Sequence, residues 1–404
     1  MRSRTPGFVG ARLREAREVR GFTAVALCEM RGVTVSPQAI SQYETGRATP
    51  SPEVLSAIAT AVNLPEHFFL MPLRKSDRGT IFYRSMSSAT KSARSRAQRR
   101  FDWLRDIARY LSEFVDFPES RFPVLNLPTD PIELSDDEID EAAAEVRRFW
   151  NMGDGPIANM VLLLENQGAV IARDKLSAET LDGLSEFVAE DKRPYIIVGT
   201  DKGSPARWRF DLAHELGHVV LHAHVRPELL VRAEHFKRIE EQAHRFAGAF
   251  LLPLEPFAED FFSADLDTLV AIKPKWKVSI AMMITRASRA GLIDDSTARR
   301  LWINSSRRGW RREEPYDDVM EVEEPRLLRR SFELILQNGT QTAEDVVARL
   351  ALSLPDVESL AGLTRGFLSD FAPVTLRDLP RADTTTDRRI PGKVVSLPLR
   401  NRTF

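Results

Sequence analysis

The sequence predicts an α-rich α+β protein on three observations. Apolar residues recur at helical spacing over most of the chain, only two short β-branched runs (AVIAR and PYIIVGT) read as strands, and Ser/Thr caps with Gly and Pro breaks punctuate the helices. The 404 residues carry 57 Lys+Arg against 58 Asp+Glu, a formal net charge of −1. At about 150 residues per domain that length suggests two or three domains. A hydrophobic fraction of 43% and a charged fraction of 28% exclude a wholly disordered, collagenous or membrane-embedded chain. No apolar run approaches the roughly 18 residues of a membrane span. The basic N-terminus lacks the apolar stretch of a secretory signal, so the expected location is the cytoplasm. Cys28 alone excludes an intramolecular disulfide or a multi-cysteine metal site.

Residues 8–72 read as several short helices. FVGARLREAREVRG has Val9, Leu13 and Ala16 on one face and stops at Gly21; FTAVALCEMRGV is a second helix, closed at Gly32. Ser36 followed by Pro37 is an N-cap with proline at the first helical position, opening PQAISQYETG. PEVLSAIATAVNL follows the turn at Pro50 and Pro52. A polar, basic, serine-rich connector then becomes helical near Thr90 and runs through RRFDWLRDIARYLSEFV. Prolines 118, 123, 128 and 131 mark a boundary. Ser135 caps DDEIDEAAAEVRRFWN, whose acids lie in the first turn and arginines near the end, as the helix dipole favours. PIANMVLLLENQG, WRFDLAHELGHVVLHAH and EHFKRIEEQAHRFAGAFLL are further helices. From about 264 to 380 the chain is helical with polar breaks, where Trp302, Trp310 and Phe332 are expected in the core, and the polar tail is expected to be disordered. The expected organisation is 1–75, a connector 76–130, a core 131–264, a helical region 265–380 and a tail 381–404.

Charge is uneven despite the net balance. Residues 1–75 carry ten Lys/Arg against six Asp/Glu, and the overlapping stretch 74–105 carries ten against two. Positive charge clustered there suits contact with a phosphate backbone, although a solvated basic helix face has the same composition.

His214-Glu215-Leu216-Gly217-His218 is an H-E-x-x-H within a helical pattern. Positions i and i+4 share a face, so both imidazoles can reach one ion, while Glu215 sits beside it as a base for an attacking water. Zn²⁺ accepts imidazole and carboxylate donors and needs a third protein ligand here. Glu240 shares a stripe with Ala243, Ala247 and Phe250, and a carboxylate on a packing face is costly unless it is paired or bound to metal. Glu241 points about 100° away. His222 and His244 are rivals. His222 lies about 12 Å along the axis from His214, too far for both to bind one ion, and His244, one turn from Glu240, suits a supporting role. Six of the seven histidines fall between His214 and His244.

RWRFDLAHELGHVVLH followed by EEQAHRFAGAFLLP resembles the ImmA/IrrE-type zinc metallopeptidases, which are gluzincin-like. Arg207, Phe210, Ala213, HELGH, Glu240, Ala243, Phe246, Ala247 and Leu251-Leu252-Pro253 carry the likeness, and His244 stands where that family usually has Asn. The resemblance implies a zincin-like core with a small sheet, Zn²⁺ on His214, His218 and Glu240, Glu215 as base, and cleavage of a partner repressor or regulator.

Residues 8–72 also have the shape of a helix-turn-helix domain, with GVTVS joining its second and third helices. Gln38 and Gln42, one turn apart with Ser41 between them, can read adenine edges in a major groove, and Arg47 is placed for phosphate. With the N-cap Ser36 these form the candidate DNA-contacting set. A small helical interaction domain with solvated glutamines is the competing reading. ALCEMRGVTVSPQAISQYETGRATPS is similar to the Xre/Cro repressor family through Ile40, Ser41, Glu44, Gly46, Pro50 and Ser51. That similarity implies double-stranded DNA as partner and a homodimer, with Glu44 bracing the fold. Two functions fit these motifs: a DNA-tethered zinc endopeptidase acting on a regulatory protein, or a non-catalytic transcriptional regulator whose zinc fold senses a signal or docks a partner.

Overall fold

The computed structural model describes residues 4–73, 82–83, 90–128, 130–175, 183–200, 203–226, 228–229 and 232–371. The expected tail and most of the residues between 74 and 89 lie outside them.

The N-terminal helices are α1 (Gly10–Val19), α2 (Ala24–Cys28), α3 (Pro37–Glu44) and α4 (Pro52–Ala61). Thr23, Ser36 and Ser51 cap the last three by accepting backbone N–H bonds. The second helix is shorter than its sequence pattern suggests, because the chain leaves the helix at Glu29 and reaches Gly32 through turns. Then come α5 (Lys91–Ser112), capped by Thr90, and α6 (Asp136–Phe149), which opens with a reciprocal Ser135–Glu138 capping box. After α7 (Met160–Asn166), β2 (Val170–Asp174), β3 (Gly183–Val188) and β4 (Arg193–Gly199) form a sheet with the short β1 (Phe82–Tyr83). Its order is β1-β3-β4-β2, with β2 parallel to β4 and the other pairings antiparallel. Only β2 and β4 were legible as strands; β3 carries buried Ser185 and Glu186, which hide its apolar alternation.

The rest is helical: α8 (Pro205–Leu221), α9 (Ala233–Leu251), α10 (Leu254–Asp260), α11 (Leu266–Trp276), α12 (Ile280–Arg289), α13 (Asp295–Arg307), α14 (Leu327–Gln337), α15 (Ala343–Leu350), α16 (Leu354–Ala361) and α17 (Phe367–Asp370). Phe332 is in the core as expected, but Trp302 is 40% exposed, because its face of α13 turns to a cavity rather than to the core.

Two hydrophobic cores use opposite faces of the sheet, as the two-residue period of a strand requires. Val170, Ala172, Leu184, Tyr195 and Ile197 join α5, the N-terminal helices and α14–α16. Ile171, Ile196 and Val198 join α6–α9 and α11–α13. Helix α5 is the spine of the first core: Phe101, Leu104 and Ile107 are fully buried, and the Trp103 indole donates to Glu15 of α1 at 2.8 Å.

A buried ionic clamp closes this arrangement. Asp356 of α16 accepts from Arg20 at 2.6 and 2.9 Å and from Arg100 at 2.7 Å; Arg100 also grips Asp174 of β2 at 2.5 and 3.0 Å. Burial opposes ionisation of Asp356, but the two arginines outweigh it and hold its carboxyl below the usual range. Stabilisation from this group is therefore full above the ordinary carboxyl pKa and is lost as pH falls through the lowered one. Asp356→Ala leaves two guanidinium groups short of their partner and is expected to cost about 3 kcal/mol in urea unfolding. Asp267→Ala, which breaks the exposed pair with Arg308, is expected to cost under about 1 kcal/mol. Equal losses would refute the clamp.

Candidate functional site

Helix α8 starts with Ser204 as N-cap and Pro205 at its first turn, and its 17 residues put His214 and His218 on one face, both fully buried. Helix α9 packs closely against α8 at Gly217, where an added Cβ would lie 3.2 Å from the Ala243 Cα and the Phe246 ring. That approach brings Glu240, one turn before Ala243, to the histidines. The two Nε2 atoms are 3.0 Å apart, and Glu240 places its oxygens 3.5 Å from His214 Nε2 and 3.3 Å from His218 Nε2. A tetrahedral ion with bonds of about 2.0–2.1 Å spaces its ligands by about 3.3–3.4 Å. The three atoms fit a single metal ion by chemistry and by spacing. Burial works against the charge on Glu240, but the two imidazoles beside it outweigh that and hold the carboxyl well below its usual range. Glu241 is exposed and faces Lys237 at 3.7 Å.

Glu215 is fully buried beside this cluster, and its Oε2 accepts from the Ser185 hydroxyl of β3 at 2.5 Å. Gly183 of the same strand leaves room for the other oxygen, which an added Cβ would meet at 2.7 Å. Sequence patterns gave no sign of Ser185 or Gly183, because both act through a strand whose polarity conceals it.

His222 does not join the cluster; it orients it. The Gln242 amide nitrogen donates to the Pro131 carbonyl at 2.5 Å, so its oxygen accepts from His222 Nε2 at 3.0 Å. That leaves His222 Nδ1 to accept from His218 Nδ1 at 3.1 Å, and the His218 Nε2 lone pair faces the cluster. Burial, then the neighbouring His218, push the His222 pKa well below its ordinary value, which keeps the ring neutral in this relay. His244 lies on the open side. Its Nδ1 is 2.7 Å from the Glu240 carbonyl, which can only accept, so Nδ1 carries the proton. One of its ring nitrogens is within 4.8 Å of the donor atoms of His214 and Glu240.

On the N-terminal side, Ile40 is buried while Gln38, Ser41, Gln42 and Arg47 are exposed together. Ser36 is spent on capping, accepting from Ala39 N–H at 3.2 Å. Glu44 binds Arg17 at 2.5 and 3.0 Å and braces α3 against α1.

Residues 164–288 match the IrrE N-terminal-like domain, peptidase family M78. Residues 9–67 match a helix-turn-helix domain. The chain thus carries a helix-turn-helix domain followed by an IrrE-like domain of a kind associated with metallopeptidases. No curated protein matches the chain. The IrrE-like domain runs from the end of α7 to α12 and contains every residue of the His/Glu cluster, with Glu215, Ser185, His222 and Gln242, whereas the Pro131 carbonyl that fixes Gln242 precedes it.

Gln242→Leu should keep the fold, since it replaces one buried side chain by another of similar length, yet weaken metal affinity by about 10–100-fold. Chelator competition measures this; unchanged affinity would remove the relay.

Proposed function

We propose that the protein is a DNA-binding regulator with a zinc-dependent endopeptidase that cuts a partner repressor or regulatory protein. The observation that carries this reading is the buried convergence of His214, His218 and Glu240 with a carboxylate, Glu215, beside them rather than among them. A scaffold built only to hold metal has no use for that fourth group. Zn²⁺ bound to the three donors would lower the pKa of a water and polarise a peptide carbonyl. Glu215 takes the proton of the attacking water and passes it to the leaving amine. Ser185 holds one Glu215 oxygen and so sets the plane of the carboxylate.

The outer face of α3 supports the DNA-binding half of the reading. Gln38 and Gln42 would reach base edges with Ser41 between them, Arg47 would contact phosphate, and Ser36 would hold the first turn of the helix in place. Binding as a homodimer to two half-sites follows from the likeness to Xre-type domains.

Glu215→Gln should retain zinc and lose about 10²–10⁴-fold in cleavage of a co-expressed partner, whereas His214→Ala should lose the zinc. Cleavage surviving in Glu215→Gln would defeat the mechanism, and zinc retention with no cleavage by the wild type would favour the non-catalytic regulator. In gel shifts, Gln38→Ala with Gln42→Ala should relax sequence preference, while Arg47→Ala should weaken all sites alike. Unchanged shifts in both would remove groove reading by α3.

A further inference from the structure

A cavity of about 740 Å³ opens next to the metal cluster, bounded by the start of α8, by α9, α12 and α13 and by the chain after α13. Its volume is in the range of ligand-binding clefts. Phe210 and His244 form the wall toward the cluster, and Trp302 and Trp310 stand among the other lining residues. The lining is strongly cationic, and its arginines fall into two sets. Arg245 and Arg286 are committed to Asp140 at 2.9 and 2.8 Å. Arg207, Arg289, Arg311 and Arg312 are exposed. Arg311 donates to the Ser306 hydroxyl at 2.9 Å, and Arg207 stands 3.9 Å from Asp211. Among the described residues no hydrogen bond or ion pair holds Arg289 or Arg312.

The acidic lining residues do not offset this charge. Glu314 and Asp317 both bind the buried Lys273 ammonium, at 2.8 and 2.7 Å, and Glu314 also accepts from the Ile280 and Ala281 N–H groups. Their lone pairs are spent inward, so the exposed arginines make the lining cationic, with Asp136, Asp140 and Glu241 outside it near Arg289.

We infer that this cavity takes acidic side chains of a polypeptide lying across the metal cluster, so that the substrate carries Asp or Glu close to the bond that is cut. The inference rests on the peptidase reading for what happens to that polypeptide, but binding alone tests it. Arginine forks match carboxylates in geometry as well as charge. The His244 ring separates the cavity from the cluster by the width of one side chain, which sets the acidic residue within a few positions of the reacting carbonyl.

The experiment uses the full-length Glu215→Gln protein and two fluorescent decapeptides, one alternating Glu with Ala and its Gln counterpart, followed by anisotropy at about 0.15 M salt. The Glu peptide should bind about tenfold more tightly than the Gln peptide. Arg289→Glu with Arg312→Glu should abolish the difference, and a Lys-for-Glu peptide should gain affinity for that variant. Both positions are exposed and, among the described residues, held by no hydrogen bond or ion pair, and a circular-dichroism melt matching the parent confirms the fold. Equal binding of the two peptides overturns the inference. So does unchanged Glu-peptide binding after charge reversal, which would put the peptide on the basic N-terminal helices. Competition by free glutarate at equal carboxylate concentration would also overturn it, in favour of a small-carboxylate site. Wild-type protein on a mixed peptide library separates the two readings. Cleavage without acidic preference sinks this inference alone; no cleavage, with charge-dependent binding intact, sinks only the peptidase.

Discussion

The site depends on how closely two helices approach. Gly217 has no side chain where α9 passes, and Ala243 has a small one, so Glu240 can meet two imidazoles buried in α8. Burying two imidazoles and a carboxylate together costs several kcal/mol unless something bonds them. A cation shared by all three would resolve that cost, and would account for two ring nitrogens facing each other at 3.0 Å. The surroundings hold both helices in place. Arg147 of α6 donates to the Phe250 carbonyl at the end of α9, and Arg209 of α8 binds Glu323, whose other oxygen caps α7 through the Met160 N–H at 2.7 Å.

The sheet joins the two halves of the molecule. On one face Leu184 and Val188 of β3 belong to the core shared with α5 and the N-terminal helices. Between them in the same strand, Ser185 reaches Glu215 on the other face. The helix-turn-helix domain and Glu215 beside the His/Glu cluster are thus linked by side-chain contact through α5 and one strand. Arg20, Arg100, Asp174 and Asp356 lock the outer side of that contact, which makes the N-terminal domain an integral part of the fold.

Most helices were legible because their signals are local. Ser36-Pro37, Ser135 with Glu138, and Thr90 cap as their side-chain chemistry dictates. The spacing of His214, Glu215 and His218 follows from helix geometry alone, and Glu240 stood out as a charge on an apolar stripe. What the sequence hid is non-local. Strand β3 escaped notice because its Ser185 and Glu186 are buried against partners far along the chain, Glu215 and Arg105. His222 read as a rival ligand, since nothing local shows that Gln242 and the Pro131 carbonyl fix its ring. Trp302 read as core because an aromatic on a helix usually is; here it faces an arginine-lined cavity that four other segments complete.

On the proposed reading one metal ion is held by His214, His218 and Glu240, with His244 outside the ligand set. His244 offers a nitrogen near the same donors, so the two arrangements make different demands on α9. Metal stoichiometry of purified Glu240→Gln and His244→Gln proteins decides between them. One zinc per chain is expected in His244→Gln and almost none in Glu240→Gln; zinc retained in Glu240→Gln and lost in His244→Gln would contradict this ligand set.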